Sequence, residues 1–173
     1  MSCEICDLIS GKTRARKLYE DEDVIAFLSP KPAAFGHAIV MPKKHLAILP
    51  QIPEEALEKM FFVSQQLAGI IFEAVGAEGT NIMINEGVAA GQKHAHSIIH
   101  VIPRKKNDGL SFEWGQKQIP EDSMAKIQEL LKVPQEMKVE NAPERPKEEE
   151  SLKKEAPKTE AKDYLLRHLR RIP

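Results

Sequence analysis

The stretch that decides the fold is Asn85-Glu-Gly-Val-Ala-Ala-Gly-Gln-Lys-His-Ala-His-Ser-Ile-Ile-His-Val-Ile-Pro-Arg104. Its first half contains two glycines, which predict a loop, and Pro103 predicts the end of a strand because proline has no N–H for the sheet ladder. Four residues between them are spaced by two: His94, His96, Ile98 and His100. Side chains at that spacing share one face of a strand, about 7 Å apart. The pattern therefore predicts a strand over residues 94–102 with three imidazoles on one face.

Imidazoles in this arrangement suit several kinds of chemistry. Near neutral pH an imidazole can ligate a metal, bind a phosphate or attack phosphorus. A single histidine is more often an ordinary strand residue with its polar atoms satisfied. Three histidines in phase beside a glycine loop favour a functional site.

The residues upstream predict mixed secondary structure. Two runs rich in β-branched and apolar residues, 23–28 and 36–41, predict antiparallel strands joined by a proline-rich loop. Residues 53–76 follow a helical repeat that ends at a glycine. A further strand is predicted over 80–85. The class is therefore α+β.

Composition divides the chain into four parts. We expect a compact domain over residues 1–114, a short helical extension over 115–134 in which Ser123 caps the helix, a charged linker over 135–162, and a terminal amphipathic helix over 163–173. Roughly half of the linker residues are charged, so the segment cannot bury enough apolar surface to offset its ordering entropy. The terminal helix is too short to be stable alone, so it either docks on this domain, a second subunit or a protein partner, or remains an undocked terminus.

Charge and hydropathy exclude several classes of function. With 25 basic and 26 acidic residues, the chain has no general basic surface for specific nucleic-acid binding. No apolar run approaches the roughly 18 residues of a membrane span, and the N-terminus lacks the pattern of a signal peptide. We therefore expect a cytoplasmic protein. The only two cysteines, Cys3 and Cys6, form a CxxC pair, which in a reducing compartment binds a metal or does redox work.

The motif at 85–104 resembles the signature of the histidine triad (HIT) superfamily: an Asn, a glycine-rich loop, Gly-Gln, histidines at alternate positions and a closing Pro-Arg. Val24-Ile-Ala-Phe-Leu-Ser29 and Gly36-His-Ala-Ile-Val-Met-Pro-Lys-Lys-His45 resemble the first hairpin of the family. The resemblance covers residues 3–104. It implies a HIT-like fold, in which an antiparallel sheet of about five strands carries a long helix, and it implies a homodimer.

The resemblance also implies a nucleotide site. In the family, the glycine loop and its Gln hold an α-phosphate, and the middle histidine attacks phosphorus to form a nucleotidyl-histidine. The corresponding nucleotide-binding residues here are Phe27, Ser29, Asn85, Gly91, Gln92, Lys93 and His100. Ser29 stands where the family usually has Asp or Asn for the ribose. Lys93 replaces a small hydroxyl residue, where it either strengthens phosphate binding or simply faces solvent.

The departure from the family falls at the nucleophile. The spacing from Gln92 to Pro103 is that of the family, so His96 takes the first triad place, Ile98 the middle place and His100, as an auxiliary group, the last. Isoleucine can neither attack phosphorus nor exchange a proton. His94 lies about 13 Å along the predicted strand from position 98, too far to replace it.

The family resemblance implies two further metal ligands beside the CxxC pair. In zinc-bearing members, the pair is completed by a histidine after the second strand and by the first triad histidine, which are His45 and His96 here. Two thiolates and two imidazoles suit a closed, structural Zn²⁺ site. Redox work is less favoured, because nothing in the sequence places the pair at the start of a helix in a thioredoxin-like βαβ unit.

Three functional hypotheses follow. The first is a zinc-stabilised homodimer that binds purine nucleotides or nucleotide conjugates, with lost or strongly reduced nucleotidyl hydrolase or transferase activity. The second is an active phosphoramidate or dinucleotide hydrolase with a non-standard nucleophile, for example a water held by His100 with help from Lys93. The third is a scaffold that has lost the ligand and works through its C-terminal tail.

Overall fold

The computed structural model describes residues 3–132, which fall into two units that divide after Trp114. The predicted linker at 135–162 and the terminal helix at 163–173 lie outside the described residues. In the described part of the chain, no helix is both long and apolar enough to cross a membrane.

The first unit is a five-stranded antiparallel sheet with two helices. The elements in chain order are α1 (Glu4–Ile9), β1 (Lys17–Glu20), β2 (Val24–Leu28), β3 (Ala38–Pro42), α2 (Glu54–Ala74), β4 (Gly79–Ile84) and β5 (Ile99–Arg104). The strand order in the sheet is β1-β2-β3-β5-β4. The predicted α+β class, long helix and antiparallel sheet are confirmed.

Each face of the sheet is covered by a different helix. On one face, β2, β3 and β5 pack their apolar side chains against Met60, Val63, Leu67 and Ile71 of α2. On the opposite face, a smaller cluster that includes Phe27, Ile39 and Ile98 packs against α1. Because both faces are buried, the central strands are apolar at successive positions, and not only at alternate ones.

The prediction of a strand starting at His94 was wrong, because β5 begins at Ile99. Two hydrogen bonds draw the preceding residues toward the end of β3. Nε2 of His96 donates to the Pro42 carbonyl at 2.9 Å, and the Ser97 N–H donates to the Leu46 carbonyl at 2.7 Å. These bonds take the place of a regular ladder with β4, so the chain bends at residues 94–96.

The second unit contains α3 (Glu121–Leu131). Ser123 does not cap this helix as predicted. Pro120 occupies the N-cap position, and Ser123 is the third helical residue. Proline fixes its own φ near −65°, which suits the entry to a helix, so the helix begins three residues earlier than a Ser123 cap requires.

Candidate functional site

Four potential metal ligands meet where β3 ends. Cys3 is the N-cap residue of α1, Cys6 lies within α1, His45 follows β3, and His96 lies just before β5. The ligand atoms of these four residues all lie within 4.8 Å of one another. Residues up to 93 positions apart in the chain are thus brought into one cluster, which we call the Cys/His cluster.

The distances between the sulfur and nitrogen atoms of the Cys/His cluster fit the tetrahedral coordination of a metal ion. The Sγ atom of Cys6 lies 3.3 Å from Nδ1 of His45 and 3.9 Å from Nδ1 of His96, and Sγ of Cys3 lies 4.0 Å from Nδ1 of His96. Zinc bond lengths in a tetrahedral site separate sulfur from nitrogen by about 3.6 Å. The cluster could therefore hold a metal ion with only small adjustments.

His96 is oriented for this role by the backbone. Its side chain is 1% exposed, and its Nε2–H donates to the Pro42 carbonyl. This bond leaves the lone pair of Nδ1 facing the two thiols, as in metal sites whose histidines are held by a backbone carbonyl. Burial lowers the pKa of His96, although the bond to Pro42 opposes that shift. The neutral imidazole is the form that binds a metal.

Cys3 and Cys6 lie at the start of α1, but within the described residues no strand precedes this helix, so the pair does not have the βαβ setting of a thioredoxin-like redox site. The chemistry of the pair also differs from that of a redox site. Burial and the neighbouring Cys3 thiol raise the pKa of Cys6 above its usual value. Reactive cysteines have a lowered pKa, since the thiolate is the nucleophile. The four-residue donor set therefore favours metal binding.

His100 has a partner that the sequence analysis missed, the buried His37. The Ala33 N–H donates to Nδ1 of His37 at 3.0 Å, so Nε2 of His37 carries the proton. That Nε2 lies 3.1 Å from Nδ1 of His100 and donates to it. The Nδ1 lone pair of His100 is thereby occupied, and its Nε2 carries an N–H. Burial lowers the pKa of His100, and burial together with His100 lowers the pKa of His37 to about 4.

A signal for His37 was present in the sequence. Residues 37, 39 and 41 alternate, so His37 lies on the same sheet face as Ile39 and Met41 of β3. Gly36 precedes it with φ at +93°, where an added Cβ would lie 3.0 Å from Cγ1 of Val75. Only glycine fits this turn without strain, and the turn delivers His37 to the sheet.

Ile98 is part of the apolar cluster under α1. Its side chain is 9% exposed and packs in one cluster with Ile5 and Leu8 of α1 and with Phe27 of β2. The structure thus brings together two of the predicted site positions, Phe27 and Ile98. Only carbon and hydrogen are available at the middle position.

The glycine loop is braced by Gln92. Its Oε1 accepts from the Gly87 N–H at 2.8 Å, and its Nε2 donates to the Ala47 carbonyl at 2.8 Å. Gly91 has a left-handed φ of +88°, and an added Cβ would lie 3.6 Å from Nδ2 of Asn85. Asn85, Gly91 and Gln92 are therefore brought together, with the Gln92 side chain holding the loop in shape.

Three other residues sit at the edges of this region. Ser29 follows β2, and its backbone N–H donates to the His37 carbonyl at 2.8 Å. Lys93 is exposed beside the loop. His94 lies in the bend, with Nδ1 3.6 Å from a carboxylate oxygen of Glu4 in α1. His94 therefore faces α1 and does not continue the row formed by His96, Ile98 and His100.

Comparison with known proteins identifies the class. A HIT domain model matches residues 10–107, and the chain belongs to the HIT family, whose members are nucleotide-binding and hydrolase-like proteins. The chain is 35% identical over 108 residues to adenylylsulfatase HINT3 of Arabidopsis thaliana, covering 62% of this chain and only 55% of that protein.

Solved structures agree with this assignment. A histidine triad nucleotide-binding protein from Candida albicans matches with a TM-score of 0.68 and 31% identity, over 75% of this chain and 94% of that one. A Zn-bound histidine triad family protein from Mycobacterium smegmatis matches with a TM-score of 0.60 and 39% identity, over 68% of this chain and 85% of that one. The HIT-like fold expected from the sequence is confirmed.

Proposed function

We propose that this HIT-family protein is a cytoplasmic, zinc-stabilised homodimer that binds purine nucleotides or nucleotide conjugates and has lost most or all nucleotidyl transfer activity. The pocket would be floored by Phe27 and Ile98 and closed by the glycine loop and His100. Ser29 would face the ribose, and Lys93 would stand beside the phosphate.

The observation that carries the proposal is the hydrocarbon at position 98. In transfer through an imidazole, a nitrogen lone pair forms a bond to the α-phosphorus while the bond to the leaving group breaks. Ile98 has no lone pair and is buried in apolar contacts. Loss of a catalytic nucleophile costs about 10⁴- to 10⁶-fold in well-studied hydrolases.

The state of His100 supports binding over hydrolysis. Because Nδ1 of His100 accepts from His37, the remaining nitrogen offers an N–H and no lone pair. An N–H donor stabilises a bound phosphate oxygen, whereas a general base needs a free lone pair. His100 is therefore suited to hold an anion and poorly suited to activate a water.

Zinc is the metal that the donor set favours. Two thiolates and two imidazoles match its preference for sulfur and nitrogen in a closed tetrahedral site. With all four positions taken by the protein, the ion would stabilise the structure around the Cys/His cluster and would not activate water. The Zn-bound relative from Mycobacterium smegmatis supports the same choice.

A homodimer is supported by the apolar surface of α2 and β4 that the described residues of the first unit leave exposed. Strand β4 is at the edge of the sheet, and Ile82 on it is 44% exposed. On α2, Phe62 is 62% exposed and Ile70 is 61% exposed. An apolar helix face together with an open strand edge is a surface that a second copy can cover.

The active-hydrolase hypothesis has one observation in its favour, the similarity to a protein named adenylylsulfatase. Calorimetry with AMP and GMP, followed by turnover assays with an adenosine phosphoramidate and a dinucleoside polyphosphate, separates the two functions. We expect nucleotide binding with negligible turnover. Robust turnover that disappears in His100→Ala would contradict the binding function and establish the hydrolase.

Two further outcomes complete this test. The variant Ile98→His restores a lone pair at the middle position and is expected to gain turnover, with Ile98→Val as the matched control that gains none. No binding of either nucleotide at millimolar concentration would refute the proposal and support a scaffold that works through its tail.

A further inference from the structure

We propose that metal binding at the Cys/His cluster and nucleotide binding in the neighbouring pocket are thermodynamically linked, so that loss of the metal weakens nucleotide binding. This inference rests on the proposed function and adds a regulation of the same site. Its basis is that each of the three chain segments that supply the metal ligands also supplies part of the pocket.

The first segment is α1, which holds Cys3 and Cys6. Ile5 lies between the two cysteines, and Ile5 and Leu8 pack against Phe27 and Ile98. This helix has six residues and no side-chain cap, so it is too short to be stable without tertiary contacts. A metal held by Cys3 and Cys6 would therefore fix the helix that packs on Phe27 and Ile98, the apolar residues of the proposed pocket.

The second segment begins at His45 and continues to Leu49. Its Ala47 carbonyl accepts from Nε2 of Gln92, and its Leu49 N–H donates to a carboxylate oxygen of Glu86. Both partners belong to the glycine loop. A shift of His45 on metal loss would thus be passed to the loop by hydrogen bonds only two to four residues away.

The third segment carries His96, two residues before Ile98 and four before His100. The Ser97 N–H donates to the Leu46 carbonyl, so this segment is also tied to the second one. A metal ion would bind these three segments together at one point. Without it, the third segment keeps the bonds of His96 to Pro42 and of Ser97 to Leu46, and Ile98 keeps its apolar packing on α1. The cysteine ligands themselves would then touch His45 and His96 only through weak thiol contacts.

Linkage makes the effect reciprocal. If removing the metal weakens nucleotide binding by some factor, nucleotide must tighten metal binding by the same factor. Couplings between neighbouring sites are typically about 5- to 150-fold, and we expect about tenfold here.

The test uses the full chain with Zn²⁺ and AMP as probes. Calorimetry gives the AMP dissociation constant of the zinc-loaded and the zinc-depleted protein, and competition with a chromogenic chelator gives zinc affinity with and without saturating AMP. We expect both affinities to change by the same factor of about ten. The variant Leu8→Ala keeps all four ligands but reduces the packing of α1, and it should reduce that factor. Thr13→Ala, at an exposed position after α1, should leave the factor unchanged.

The outcomes separate this inference from the function on which it rests. Equal AMP affinity with and without zinc overturns the linkage and leaves the proposed function standing, whereas no AMP binding in either state overturns both. Far-UV circular dichroism of the depleted chain decides the remaining case: a globally unfolded chain would make the metal a folding cofactor and overturn a local linkage.

Discussion

The imidazoles of His37 and His100 share a hydrogen bond of 3.1 Å that joins the start of β3 to β5. The strands are antiparallel neighbours, with Ile39 paired to His100 across the ladder, so the two rings meet on the face that also carries Ile98. The Ala33 N–H fixes the proton on Nε2 of His37 and thereby the proton on Nε2 of His100. A relay of two hydrogen bonds, from the Ala33 amide through His37, therefore sets the hydrogen-bonding role of His100.

This relay predicts a particular pH dependence of stability. The pKa of His37 is lowered to about 4 from an ordinary 6.5, because the ring is buried and faces His100. As the pH falls from 6.5 to 4, the unfolded chain binds a proton here that the folded chain does not, so the free energy of unfolding falls. The contribution of neutral His37 to the free energy of unfolding is complete above pH 6.5. Its loss at acidic pH amounts to at most about 3 kcal/mol.

Urea denaturation between pH 4 and 7 checks this prediction in the wild type and in His37→Gln. The variant keeps an acceptor and a donor but does not titrate, so its stability should depend less steeply on pH. Burial also lowers the pKa of His96 and of His100, so the difference between the two proteins carries the result. If the free energy of unfolding changes equally with pH in the two proteins, His37 is not the cause of the pH dependence.

A second prediction concerns the metal. Purified wild-type protein should contain about one equivalent of zinc, and Cys6→Ser should contain much less because a thiolate ligand is lost. A ligand present at 100 times its dissociation constant stabilises the folded state by about 3 kcal/mol, so the variant should also melt at a lower temperature. Ser10→Ala, just after α1, is the control and should keep the zinc content and the melting temperature of the wild type. Wild-type protein with well under one equivalent of metal would contradict the prediction.

Much of the fold could be predicted because its signals are local. The apolar runs of β2 and β3 and the long repeat of α2 lie within single segments. Strand β1 gave no such signal, since all four of its residues are exposed, and α1 is too short for a helical repeat to be visible. The start of β5 was misplaced because bonds to Pro42 and Leu46 bend the chain there.

Only part of the candidate site could be predicted from the sequence, because its residues come from distant parts of the chain. The CxxC spacing indicates a pair of ligands, but their partners are 39 and more positions away, and only the family resemblance suggested His45 and His96. His37 was missed because its role depends on a ring 63 positions away. Such contacts exist only in the folded chain.

A third prediction concerns the stability of Ile98→His, the variant that tests the function. Its ring would replace a hydrocarbon packed among Ile5, Leu8 and Phe27, where few polar partners are available. We expect a loss of about 1–3 kcal/mol in the free energy of unfolding, against about 0.5–1.5 kcal/mol for Ile98→Val. Chemical denaturation measures both. A variant as stable as wild type would mean that the pocket already accommodates a polar ring, and that activity was lost without repacking.

The last prediction addresses the proposed homodimer. If Phe62 is buried against a second copy, Phe62→Glu places a charge in an apolar interface. Truncating a central aromatic residue of an interface often costs about 2 kcal/mol or more, so this variant should weaken association at least about tenfold. Thr13→Glu adds the same charge at an exposed position after α1, the helix on the opposite face of the sheet from α2, and should leave association almost unchanged. Analytical ultracentrifugation over a range of concentrations measures both. A wild-type chain that sediments as a monomer at high concentration would contradict the prediction directly, and α2 would then expose Phe62 and Ile70 for a different partner.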